Sequence, residues 1–192
     1  MNALRLTCRP TFDATWTLFL DRDGVINKEI PNGYVLSWQD FVFEEGALEA
    51  LARLKMIFGR ILVVTNQRGV GKGLMTETDL EEIHFRMLSV IHAHGGRIDK
   101  IYSCTDLDSD SPRRKPNPGM AHEAKRDFPE IDFSRSVMVG NHLRDMEFGR
   151  RLGMHTVWIA STDPDPGPQW ADEAYSSLWA WTQDLLKALS HR

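Results

Sequence analysis

The chain is predicted to be an α/β protein built on a parallel sheet, and three observations carry that expectation. Short, wholly apolar runs such as Ile61-Leu62-Val63-Val64 alternate with stretches of helical period, and strands alternating with helices require right-handed crossovers between parallel neighbours. The runs are too uniformly apolar for strands with one wet face, as expected of central parallel strands. Polar residues fall after them: Asp21 and Asp23 follow the first, Thr65 and Asn66 the second, Lys115 comes in the loop after the third, and Asn141 and Asp145 follow the fourth. In a parallel sheet those ends share one edge, and α/β proteins bind ligands there.

Residues 1–15 show no periodicity and read as an irregular lead-in. The first strand is residues 16–20, ending in two carboxylates one residue apart with Gly24 following. Residues 28–43, with Pro31, Asn32 and Gly33, read as loop with at most a short hairpin. Leu48, Leu51, Ala52 and Leu54 fall at helical spacing within 46–56. The second strand is 61–64. A helix capped at Thr76 runs to Ala93 and is closed by Gly95-Gly96. Strands follow at 98–104, 137–139 and 155–159, with helices at 119–127 and 144–152 and a polar loop at 105–118. A proline-rich linker spans 163–168. The tail, 163–192 with that linker, has helical character and carries Trp170, Trp179 and Trp181, expected to pack on the core or at a dimer contact.

The 192 residues suit one domain, 1–192, able to bury a substantial core. A net charge of -4 gives no reason to expect nucleic-acid binding. No apolar run is long enough to span a membrane, and no basic segment precedes a long apolar core at the N-terminus. Cys8 and Cys104, far apart, fit a reduced chain, so the expected location is cytoplasmic, as a monomer or dimer.

Two carboxylates at the end of a core strand repel unless something positive lies between them. Phosphoryl transfer needs a nucleophile, neutralised phosphoryl oxygens and a protonated leaving group. Asp21 could attack phosphorus and form an aspartyl phosphate. Asp23 could protonate the leaving oxygen, its proton favoured by burial and neighbouring carboxylates. Mg²⁺ is the natural counter-ion, held by Asp21, the Asp23 carbonyl and Asn141 or Asp145. Thr65 and Lys115 would hold the transferring group. The substrate is then a small phosphorylated metabolite.

These segments also carry a resemblance. Asp21-Arg22-Asp23-Gly24-Val25-Ile26-Asn27, Thr65-Asn66-Gln67-Arg68-Gly69, Arg114-Lys115-Pro116-Asn117-Pro118-Gly119-Met120, and Val139-Gly140-Asn141 with Asp145 resemble the four motifs of the haloacid dehalogenase (HAD) superfamily. More narrowly they are similar to the branch containing heptose-bisphosphate and histidinol-phosphate phosphatases. The resemblance implies a Rossmann-like three-layer α/β/α sandwich, strand order 5-4-1-2-3 and a minimal cap. It implies Asp21 as nucleophile, Asp23 as acid/base, Thr65 and Lys115 on the phosphoryl group, Mg²⁺ as cofactor and Arg114 orienting substrate. Asn66, Gln67 and Arg68 complete the expected substrate contacts. A sugar phosphate or bisphosphate is favoured; the alternatives are histidinol phosphate or a weakened, phosphate-binding homologue.

Two departures stand out. Asn141 occupies the position where the branch has a metal-binding Asp, so Asp145 is expected to compensate. The loop before Lys115 keeps Cys104 but has Asp106 where the branch has a zinc-binding His, so no zinc is expected. Gly69-Val-Gly-Lys72-Gly lacks the Walker spacing and reads as a turn, with Lys72 either solvated or reaching the distal part of the substrate. His84, His92 and His94 share a helix without metal-site company, and His142 is expected on the surface.

Overall fold

The computed structural model describes residues 9–160, 166–167 and 169–190. Six strands, β1 (Thr17–Leu20), β2 (Arg60–Asn66), β3 (Lys100–Cys104), β4 (Ser136–Gly140), β5 (His155–Ile159) and β6 (Glu173–Tyr175), form one sheet. Their order is β3-β2-β1-β4-β5-β6, and every pairing is parallel. This is the implied 5-4-1-2-3 order with one strand added beyond β5.

The layers follow from the two-residue period of the strands. Leu18, Leu20, Ile61, Val63, Val137, Val139, Val157 and Ile159 point to one face, together with α1 (Ala47–Leu54), α3 (Glu77–Ala93) and α6 (Leu178–Ser190). Phe19, Leu62, Val64 and Met138 point to the other, which α4 (Gly119–Asp127) and α5 (Leu143–Arg151) cover. The fold is thus the expected three-layer sandwich. Leu18, Phe19 and Leu20 are fully buried, each contributing roughly 1.5–3 kcal/mol. That anchorage makes the end of β1 a rigid place for two carboxylates. Thr76 caps α3 as expected, accepting from the Asp79 amide while Asp79 reaches back.

Three expectations needed correction. Strand β2 runs on through Thr65 and Asn66, which pair with Ser103 and Cys104, so both lie within the strand end rather than after it. A short helix, α2 (Arg68–Gly71), follows directly. The tail is not helical from Trp170: Glu173–Tyr175 pairs with β5, and α6 starts only at Leu178. Partners distant in sequence override local helical period there. The Asp172 side chain accepts from the Thr156 amide (2.9 Å), and Arg9 binds Glu173 and Tyr175 across the chain. Trp181 is buried in the core, whereas Trp170 packs at a smaller cluster with Met146 and Trp158. Most of the predicted linker, and residues 1–8 of the lead-in with Cys8, lie outside the described residues.

Candidate active site

The ends of β1, β2 and β4, with the loops that follow them, line one cavity of about 870 Å³. Asp21 is the first residue past β1, and its amide continues the sheet by donating to the Val139 carbonyl (2.9 Å). The chain then turns at Gly24, whose φ of +80° suits glycine. A Cβ there would sit 2.0 Å from Asn141 Nδ2, so the loop after β1 and the loop after β4 touch only because residue 24 has no side chain.

Lys115 arrives from the 105–118 loop and is fully buried between two carboxylates. Its Nζ lies 3.0 Å from Asp21 Oδ1 and 2.7 Å from Asp145 Oδ1. Asn66 places it: the Lys115 amide donates to Asn66 Oδ1 (3.0 Å) and Asn66 Nδ2 donates to the Lys115 carbonyl (3.1 Å). One lysine serves two buried acids and sits nearer Asp145, so Asp21 is the less compensated. Burial, then Asp145, push the Asp21 carboxyl up to about 6 against the pull of Lys115. Burial acts on Asp145 too, but Lys115 and Arg144 outweigh it and hold that carboxyl below the ordinary range.

Asp145 was expected to be a metal ligand; its two oxygens are otherwise occupied. Oδ1 faces Lys115, and Oδ2 accepts from the His142 amide (3.0 Å) as a helix N-terminal partner of α5. It is fully buried and absent from the cavity lining, behind Gly140, where a Cβ would meet Asp145 at 2.3 Å.

Asp23 also departs from expectation. Burial favours its proton, but Arg22 (2.9 Å), Asn27 Nδ2 (2.9 Å) and Gln67 Nε2 (2.9 Å) outweigh it and hold the carboxyl below its usual range. Gln67 also donates to Thr65 Oγ1 (2.8 Å), tying the acid/base candidate to the strand β2 hydroxyl. Arg22 is fully buried, with His84 Nε2 3.3 Å from Nη1 and the Phe41 ring 6.0 Å away. Burial, then Arg22, drive His84 down to about 3, so it stays neutral there.

Asp21, Asp23, Thr65, Asn66, Gln67, Arg68, Arg114 and Asn141 all line the cavity; Lys115 and Asp145 stand behind it. Arg114 also braces its own loop, donating to the Leu107 carbonyl (2.6 Å), and Asn117 donates to the Ser109 and Ser111 carbonyls. Asp106 accepts from Cys104 Sγ (3.6 Å) and from Ser111, so hydrogen bonds hold the start of this loop. Lys72 is not on the cavity; it stacks 5.0 Å over Tyr34, which is. His142 is not a surface residue: its side chain is 13% exposed and its Nε2 lies 2.8 Å from Glu29 Oε1. Sequence reasoning missed the parts played by Arg22, Asn27, Glu29 and Arg144. Arg22 alone carried a signal, as a cation enclosed by two acids at a core strand's end; nothing local marks Glu29.

The residues present suit a hard cation. The Asp21 carboxylate, the Asp23 main chain and Asn141 converge on one cavity with an under-compensated buried acid among them. Among the described residues no three His, Cys, Asp or Glu side chains cluster as a metal cage. A single carboxylate with neutral oxygens is the donor set of an ion that retains much of its water, such as Mg²⁺.

Comparison with known proteins points the same way. A family model described as HAD-hydrolase-like matches residues 112–174. The D-glycero-alpha-D-manno-heptose-1,7-bisphosphate 7-phosphatase of Mycobacterium bovis is 36% identical over 180 residues, 92% of this chain and 95% of its own. The D-glycero-beta-D-manno-heptose-1,7-bisphosphate 7-phosphatase of Photorhabdus laumondii is 36% identical over 180 residues, 90% of this chain and 94% of its own. Among solved structures, the D,D-heptose 1,7-bisphosphate phosphatase of B. bronchiseptica, complexed with magnesium and phosphate, superimposes with a TM-score of 0.81 at 28% identity. It covers 90% of this chain and 99% of that one.

Proposed function

The chain belongs to the haloacid dehalogenase superfamily and is a phosphoric monoester hydrolase, and from that premise we propose that it removes the 7-phosphate of a heptose 1,7-bisphosphate. One observation carries the reading. The floor of the cavity holds Asp21 with Lys115 at 3.0 Å, while Lys28, Arg68, Arg114 and Arg144 line its wall. A floor that handles one phosphate beneath a basic wall suits a sugar with a second phosphate. The same wall disfavours histidinol phosphate, whose organic part is a cation. The two heptose-bisphosphate relatives named above act on opposite anomers at equal identity, so similarity alone does not choose between them.

In the proposed reaction Asp21 attacks phosphorus through Oδ2, because Lys115 and the Arg22 amide (2.7 Å) both hold Oδ1. As the bond to the sugar oxygen breaks, Asp23 gives that oxygen its proton. A bound phosphate dianion raises the Asp23 pKa, supplying the proton that the substrate-free site withholds. Water then attacks the phosphorus of the aspartyl phosphate, Asp23 takes its proton, and inorganic phosphate leaves with Asp21 restored. Lys115 and Thr65 hold the phosphoryl oxygens as charge builds. Mg²⁺, held by Asp21, the Asp23 carbonyl and Asn141, would neutralise phosphoryl oxygens when bound. Asp145 acts through Lys115, keeping its ammonium in place.

Initial rates with Mg²⁺ on both anomers of heptose 1,7-bisphosphate, histidinol phosphate, a hexose 6-phosphate and a 3'-phosphorylated DNA test the substrate class. One heptose bisphosphate should lead in kcat/KM by about a hundredfold, the scale of discrimination that contacts to a second phosphate supply. Equal or faster turnover of histidinol phosphate would overturn the reading.

A further inference from the structure

Asn141 places a neutral amide where a metal-facing carboxylate is expected, and its surroundings show how such an amide is made to serve. Its side chain is fully buried. Its Nδ2 donates to Glu29 Oε2 at 3.0 Å and lies against the backbone of Gly24, so the donor end is clamped from two sides by the loop after β1. Glu29 is itself fixed, with its other oxygen 2.8 Å from His142 Nε2. An amide has one donor end and one acceptor end. Tying the donor end to Glu29 turns Oδ1 away from that carboxylate.

We propose that Glu29 is a positioning residue for the metal site, one that sets the Asn141 amide with its oxygen, rather than its NH₂, available to Mg²⁺. The inference rests on the metal reading above and deepens it. An aspartate at 141 needs no such partner, because its two oxygens are equivalent. Asn141 therefore costs the site no oxygen donor so long as a carboxylate holds the other end. The negative charge remains in the site, moved one residue outward onto Glu29.

Orientation can be separated from charge. Glu29→Gln and Glu29→Ala both remove the charge, but only Gln keeps an acceptor for Nδ2. Each is combined with wild-type Asn141 and with Asn141→Asp, and Mg²⁺ binding is measured by calorimetry on the substrate-free protein. Melting temperatures without metal confirm folding, which Glu29, with a side chain 32% exposed, is placed to tolerate. With Asn141 present, Glu29→Ala should bind Mg²⁺ at least about fivefold more weakly than Glu29→Gln, the loss of one correctly aimed oxygen ligand. With Asn141→Asp the difference between Gln and Ala should fall below about twofold, since an aspartate has no orientation to lose. The same Gln-to-Ala difference in both backgrounds, or none in either, would overturn the inference while leaving the metal reading intact. A wild-type protein that binds no Mg²⁺ would overturn both.

Discussion

The floor and the rim of the cavity are built by opposite means. The floor is Asp21 and Thr65 backed by Lys115 and Asp145, each at most 4% exposed. Buried strands β1 and β2 hold Asp21 and Thr65, α5 holds Asp145, Asn66 at the end of β2 pins the Lys115 main chain, and charge runs from Asp21 to Lys115 to Asp145. The rim is loop: residues 28–36 with Tyr34, and the 105–118 segment, where Arg114 and Asn117 donate to main-chain carbonyls at little burial. A reacting group has to be held within a fraction of an ångström, which rigid elements do best. A loop can change its outline without disturbing that geometry. On the proposed function, the floor specifies the transferred group and the rim its carrier.

Substitutions should therefore separate into two kinds. Lys115→Met is expected to do most, because it leaves Asp21 and Asp145 facing one another in the core without a cation. Breaking a buried ion pair typically costs about 3–5 kcal/mol, and thermal unfolding should show that loss beside a fall in kcat of about 10²–10³. A Lys115→Met protein with wild-type melting would break the floor's claim to be one charged unit. Asp145→Asn comes next. Since that side chain faces Lys115, kcat should fall about 10- to 100-fold while the Mg²⁺ concentration for half activation shifts little. A large shift in metal dependence with kcat preserved would return Asp145 to the ligand set.

The backing of the floor should show in acid. His84 is neutral in the fold, near 3, against an ordinary value of 6.5. A histidine whose folded value is depressed binds its proton more readily in the unfolded chain, so its share of stability is complete above 6.5 and is lost as pH falls towards 3. Denaturant unfolding at pH 5 and pH 7 should differ by about 2 kcal/mol from this group alone, and His84→Gln should remove that part of the difference. An unchanged acid limb would contradict the burial of His84 against Arg22. The smallest effect belongs to the rim: Asn117→Ala loses two hydrogen bonds to loop carbonyls. It should raise KM several-fold, leave kcat within about twofold and cost about 1 kcal/mol. A kcat defect larger than the KM defect would blur the division between floor and rim.

The same division governs what could be read from the chain alone. Asp21, Thr65 and Asn141 are visible because each follows or ends an apolar run and parallel strand ends must converge, and Lys115 by its place in the loop after the third strand. Strand β6 is not, since Glu173–Tyr175 is a strand only by virtue of β5 and the side chains of Arg9 and Asp172. The chain alone favours a proton on Asp23, because it points to burial and to the nearby Asp21 carboxylate. The groups that reverse this are Arg22, adjacent in sequence and turned onto the carboxylate, then Asn27 and Gln67, which become its neighbours only through a loop and a second strand. Nothing in the chain alone shows that Lys115 lies 2.7 Å from Asp145. Glu29 had no local signature at all, since its meaning depends on Asn141 lying 3.0 Å away.

The central claim is that the floor performs the transfer in two displacements, with Asp21 carrying the phosphoryl group between them. The stereochemical course at phosphorus tests this most directly, using a sugar phosphorothioate ester chiral through two oxygen isotopes on phosphorus and hydrolysed by the wild-type protein with Mg²⁺ in water carrying the third. Two in-line displacements each invert phosphorus, so the account predicts chiral inorganic thiophosphate with net retention. Net inversion would mean that water attacks the substrate directly and that Asp21 is not the nucleophile.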